Sequence, residues 1–202
     1  MTLETSKNLG GIGAILMFIG VIPWIAPYGW ILAFVGLIIS LIGFKGLADY
    51  YKEAGVFNNA LYAVILGIVG VGVFIAVVFI AAVGLLAELG LDASNMADWS
   101  SRISQLDLQG MSSTIWGFAA QILLAGVVFW ICLIVAAVLL RKSLGIVSTK
   151  SGVGMFGTTG LLILIGAVIP VIGLLLIWIG LILLAVAFFS IRPQQAQPAT
   201  PT

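Results

Sequence analysis

Histidine is absent from the 202 residues, and cysteine occurs once, as Cys132. The first absence removes the commonest general base and metal ligand. The second excludes an intrachain disulfide. Charge is scarce too. Lys and Arg number 8 and Asp and Glu 7, so 7% of the chain is charged, where a soluble domain carries about a quarter. That excludes a soluble globular fold. Disorder is excluded from the other side, because 62% of the residues are hydrophobic. A formal net charge of +1 leaves no clustered basic surface, so nucleic acid is not expected as a partner.

What is abundant is uninterrupted apolar sequence, the mark of a polytopic helical membrane protein. No charge falls between Asn8 and Phe44. Leu9–Leu47 is nearly twice the roughly 20 residues of one crossing, and Pro23 and Pro27 break its middle. Trp24, Tyr28 and Trp30 beside the break are residues of the membrane interface. This predicts a tight hairpin turning near 24–29. The first run lacks a clear cleavage signal and leads straight into a second, so it is expected to be retained rather than removed as a signal peptide. Val153–Ser190 repeats the situation around Pro170, which predicts a second hairpin turning at 170–173. Between the two lie the charge-free runs Leu61–Ala87 and Ile115–Leu140.

The expected fold is thus all-α, a single domain of six transmembrane helices over 1–192. The spans are about 9–25, 29–47, 61–87, 115–140, 153–170 and 173–190, with two of the helix pairs being tight hairpins. Residues 193–202, rich in Pro, Gln, Ala and Thr, read as a disordered cytoplasmic tail.

Six crossings place both termini on one side, together with the connections 45–60 and 141–152. That side holds Lys7, Lys45, Lys52, Arg141, Lys142, Lys150 and Arg192. The other side holds Arg102, with Glu88, Asp92, Asp98 and Asp107. The positive-inside rule then puts the N and C termini in the cytoplasm and the chain in the plasma membrane.

The two predicted hairpins echo each other. Phe34-Val35-Gly36-Leu37-Ile38 with Phe44 parallels Trp178-Ile179-Gly180-Leu181-Ile182 with Phe188. Val21-Ile22-Pro23 parallels Val168-Ile169-Pro170. Duplication and chance similarity among apolar letters both account for the match. Small-xxx-small pairs, Gly36 with Ser40 and Gly72 with Ala76, suit close helix approach. Gly10-Gly11-Ile12-Gly13 is not a nucleotide loop, because neither a Lys-Ser/Thr ending nor a strand accompanies it.

Polar chemistry inside the spans is thin. Candidate intramembrane polar contacts are Gln121, Thr158, Thr159 and Ser40. No charged side chain joins them, as proton or ion relays usually require. For Gln121 an interhelical hydrogen bond is the cheaper reading, with a substrate contact as the alternative. In the external segment 88–113, Asp92 or Ser94 could cap a short helix. Met96, Trp99, Ile103 and Leu106 recur at steps of three and four, with Asp98, Arg102 and Gln105 off that face. This predicts an amphipathic helix on the membrane surface. Asp49 and Glu53 share a face and could hold a divalent cation, but Lys45 and Lys52 lie close enough to pair with them. A surface helix continuing the second span and ending near Gly55 is the plainer expectation.

Leu9-Gly10-Gly11-Ile12-Gly13, Gly36-Leu37-Ile38 and Tyr50-Tyr51 together resemble an uncharacterised family of small glycine-rich multi-span prokaryotic membrane proteins, mainly archaeal. The resemblance covers residues 8–192. It implies a multi-span fold in the plasma membrane and assigns no activity, cofactor or catalytic residue.

No catalytic, cofactor-binding or metal-binding residue is expected. The reading with the fewest requirements is a non-enzymatic integral membrane protein, a scaffold or accessory subunit. Its partners would be membrane lipids and either further copies of itself or another membrane protein. The alternative is a small transporter or channel for an uncharged or weakly polar solute. An intramembrane enzyme has least support, since Cys132 has apolar neighbours and no histidine to activate it.

Overall fold

The computed structural model describes residues 1–22, 28–91, 95, 97, 99–104, 112–169 and 172–193, with only the backbone of Arg102. Among them run seven helices: α1 (Leu3–Gly20), α2 (Gly29–Tyr51), α3 (Ala54–Glu88), α4 (Trp99–Ile103), α5 (Ser112–Ser151), α6 (Met155–Val168) and α7 (Ile172–Phe189). The chain is all-α and polytopic.

The span count departs from expectation. Among the described residues four helices are long and apolar enough to cross a membrane, α2, α3, α5 and α7, rather than six. The first predicted span, 9–25, belongs to α1, which stops at Gly20 and begins with the polar run Glu4-Thr5-Ser6-Lys7-Asn8. Only its second half is greasy. The fifth, 153–170, belongs to α6, whose 14 residues rise about 21 Å against a hydrocarbon thickness of about 30 Å. Tight hairpin pairing is not shown either. Pro23–Pro27 and Pro170–Val171, where the turns were expected, lie outside the described residues, as does the expected tail from 194 onwards.

The two middle helices outrun the predicted spans 61–87 and 115–140. α5 continues through Arg141, Lys142 and Lys150, because lysine and arginine are good helix formers and nothing breaks the run before Gly152. There the backbone turns left-handed (φ 71°), the geometry of a glycine terminator. α2 ends at Tyr51, four residues before Gly55. Lys52 takes the left-handed conformation (φ 54°), and the N–H groups of Lys52 and Glu53 both donate to the Ala48 carbonyl.

Contacts divide the chain into two compact units, 1–65 with 134–202 and 66–133. In the first, glycines set how closely the helices approach. A Cβ on Gly13 would lie 2.5 Å from the Gly36 carbonyl oxygen and from the Ser40 nitrogen, and one on Gly43 2.5 Å from the Gly10 nitrogen. α1 thus lies backbone to backbone on α2, and the Ser40 hydroxyl donates to the Gly10 carbonyl (3.3 Å). α7 meets α1 through Phe188 over Gly10 and through Trp178, which stacks on Phe18 at 4.7 Å and donates to the Phe18 carbonyl (3.3 Å). Phe188 also packs edge-on against Phe44 and Phe156, each at 5.2 Å, and with Leu47, Val56 and Leu144 these rings fill the core. The Ser143 hydroxyl donates to the Val56 carbonyl (2.5 Å), and Glu53 pairs with Lys150 (2.6 Å).

The second unit, 66–133, takes in the C-terminal part of α3 and the N-terminal part of α5, with α4 between them in sequence. Phe74 stacks on Phe129 at 5.4 Å, and Gly70, Ala81 and Ala125 are buried. Among the described residues little else covers these helices. The most apolar stretches of α3 and α5 are 11% and 17% buried, against 39% for α2 and α7.

Candidate functional site

A groove runs along the seam between α3 and α5 in the second unit, with a volume of about 290 Å³. Its floor is made of the more buried residues of the seam: Gly70 and Phe74 from α3, Ala125, Phe129 and Cys132 from α5. The exposed residues of the same two faces form its walls, Val69 and Val73 on one side, Leu124 and Val128 on the other. The spacing explains the alignment: residues three, four and seven apart share a helix face. Gly70 lets Cys132 come close, its would-be Cβ lying 3.1 Å from the cysteine Cβ. The stacked rings of Phe74 and Phe129 fill one level of the seam, while Gly70 and Ala125 supply no bulk beside it.

One polar side chain lines this groove, that of Gln121 on the wall of α5. It lies nine residues into the helix, about 14 Å from Ser112. Its carboxamide can both donate and accept. It is exposed, and no hydrogen bond reaches it among the described residues.

The other residues singled out in the sequence belong to the first unit. Ser40 is buried and bonded to the Gly10 carbonyl. Thr159 is fully buried, and its hydroxyl has no hydrogen-bond partner among the described residues. Thr158 is exposed. The structure therefore divides the four: Ser40, Thr158 and Thr159 in one unit, Gln121 in the other.

Of the predicted surface helix, Trp99 and Ile103 are found on α4, Trp99 half-buried and Ile103 exposed. Asp92, Ser94, Met96, Asp98, Gln105, Leu106 and Asp107 lie outside the described residues. Glu53 of the Asp49/Glu53 pair is engaged by Lys150, and Lys45 sits 5.9 Å from the centre of the Phe57 ring. No group of three metal-ligating side chains gathers among the described residues.

Sequence reasoning missed the groove because its floor consists of ordinary apolar residues. The one available signal was small residues at equal depth on two neighbouring helices. The pair it did select on α3, Gly72 with Ala76, is exposed, and a Cβ on Gly72 would meet nothing within 4 Å. Gly70, two residues earlier, makes the contact.

The profile of the family described as "Protein of unknown function (DUF996)" matches residues 32–189. The uncharacterized protein MJ1644 of Methanocaldococcus jannaschii is 31% identical over 193 residues, which cover 95% of this chain and 94% of that protein. No solved structure matches.

Proposed function

We propose that this chain, which belongs to the DUF996 family, is a non-enzymatic membrane protein that works as a scaffold or accessory subunit, joining other membrane helices through the parts of α3 and α5 that lie in the second unit. One observation carries the reading. Gly67, Gly72, Gly84, Gly117 and Gly126 lie in these lengths, and a Cβ on any of them would meet nothing within 4 Å. A glycine in a helix interior costs about 1 kcal/mol relative to alanine. In the first unit Gly13, Gly36 and Gly43 offset that cost by letting backbones touch, whereas Gly145 there stands open. In the second unit these five meet no neighbour among the described residues, which suits helices that receive another helix in the bilayer.

Disulfide trapping in native membranes tests this. With Cys132→Ala as background, Gly72→Cys or Gly126→Cys should give an oxidised adduct of raised mass, and Ile80→Cys, also exposed, should give less. Equal trapping at all three positions would speak against a defined contact.

A path for an uncharged or weakly polar solute is the second reading, favoured by the free carboxamide of Gln121 on an otherwise apolar groove. Solute entry into liposomes carrying the pure protein, abolished by Gln121→Leu, would select it.

The membrane orientation is part of the proposal. Glu53 with Lys150, and Ser143 with Val56, bring the α2–α3 and α5–α6 connections to one end of the first unit. Met1 Sδ lies 3.1 Å from where a Cβ on Gly46 would stand, beside Lys45. The N-terminus thus shares the end that holds Lys45, Lys52 and Lys150, and the positive-inside rule supports a cytoplasmic location for it.

A further inference from the structure

We infer that the end of the first unit carrying Lys45, Lys52, Arg141, Lys142 and Arg192 is a docking surface for the anionic headgroups of membrane lipids. Charge is the first observation. The first unit holds seven of the eight basic residues and three acidic ones, Glu4, Asp49 and Glu53, a net of +4. The second unit holds the other basic residue and four acidic ones. The cations gather at one end of the first unit. The Glu53–Lys150 pair joins the α2–α3 connection to the close of α5, and the Ser143 hydroxyl, next to Arg141 and Lys142, donates to the Val56 carbonyl at the start of α3. Phe188, four residues before Arg192, packs on Phe44, which adjoins Lys45. None of these residues lies in the second unit, so the inference stands apart from the helix-joining reading.

Pairing is the second observation. Two of the three carboxylates are engaged, Glu4 by Lys7 (2.9 Å) and Glu53 by Lys150. Lys52, Arg141, Lys142 and Arg192 are exposed, and none of them forms an ion pair among the described residues. Asp49 is the one carboxylate side chain left in the first unit to offset them. The third observation is what borders the cations. Ile42, Val138 and Phe189 stand three residues before Lys45, Arg141 and Arg192, and all six side chains are exposed. An exposed apolar residue followed one turn later by an exposed cation recurs on three separate helices. Hydrocarbon covers the first and a lipid phosphate meets the second, with the long basic side chains reaching outward to it. A soluble acidic protein would pair the cations and leave the apolar residues in water. The exposed rings of Tyr50 and Tyr62 at the same end suit the boundary between hydrocarbon and headgroup. Phosphodiester oxygens accept from lysine as from a point charge and from arginine two N–H groups at once.

Headgroup selectivity tests the surface. The full chain, stripped of lipid in detergent, is mixed with equimolar dioleoylphosphatidylglycerol and dioleoylphosphatidylcholine, which share their acyl chains and differ in net charge. Native mass spectrometry then counts the lipid each particle retains. Phosphatidylglycerol should be retained in preference, and Arg141→Gln with Lys142→Gln should lower that preference about fivefold or more. Glu53→Gln with Lys150→Gln removes an ion pair at constant net charge and should leave it in place. Asp49→Asn should raise it about twofold or more, a gain that misfolding does not produce. Equal retention of the two lipids, or a preference unmoved by both the Arg141/Lys142 and the Asp49 substitutions, would overturn the surface. Displacement of phosphatidylglycerol by millimolar inorganic phosphate would assign the cations to a soluble anion instead, and displacement by a poly-glutamate peptide would assign them to an acidic protein.

Discussion

At Gly36 a side chain would be driven into the neighbouring backbone, since a Cβ there stands 2.6 Å from the Gly13 carbonyl oxygen and 2.7 Å from the Met17 nitrogen. Neither atom belongs to a side chain that could swing away. Gly36→Leu should therefore destabilise the protein by about 3 kcal/mol or more, read from reversible unfolding in mixed micelles. Gly72→Leu, with open space around it, should leave the isolated fold within about 0.5 kcal/mol of wild type. Thr159 sets the opposite sign. Its buried hydroxyl has no partner among the described residues, so Thr159→Val removes an uncompensated desolvation and should hold or raise stability by about 1 kcal/mol. A loss of that size would reveal a bond to the hydroxyl. Of these residues the sequence exposed only part. The four-residue spacing of Gly36 and Ser40 marks a close approach that exists, and the same spacing at Gly72 and Ala76 marks a face left bare. Spacing reports that a helix face is small; it carries nothing about what lies opposite.

The helices were legible as apolar runs, and their ends were not. Composition gave the greasy cores of α2, α3, α5 and α7, because the bilayer demands length and hydrophobicity of each crossing. It overcounted at α1 and α6. A long charge-free run was there divided by two, whereas the helices stop at Gly20 and Val168 for reasons of local backbone. At α5 the span was read to close at Arg141 and Lys142, and the helix itself continues beyond them, because charged residues with good helix propensity carry it on. The true stop is Gly152, in a conformation that penalises any Cβ. Gly152→Ala should cost about 1 kcal/mol in the same unfolding assay, while Gly154→Ala, with negative φ and open space, should cost little.

For the whole molecule, the division into a unit packed through glycines and aromatic rings and a unit of thinly covered helices was not written in any one segment. It comes from how the helices contact one another, and glycine positions alone do not reveal it: Gly145 and Gly154 stand open in the first unit, while Gly70 meets Cys132 in the second. The candidate groove was half legible. Gln121 stood out as a polar residue within a span, but its surroundings come from pairing α3 with α5. The mass of the particle in nanodiscs drawn directly from native membranes tests the subunit reading most directly. For a chain of 21.2 kDa, a particle holding further protein at fixed stoichiometry, which falls back to one chain in Gly72→Ile and Gly126→Ile, is the expected result. A wild-type particle holding a single chain and lipid would contradict it.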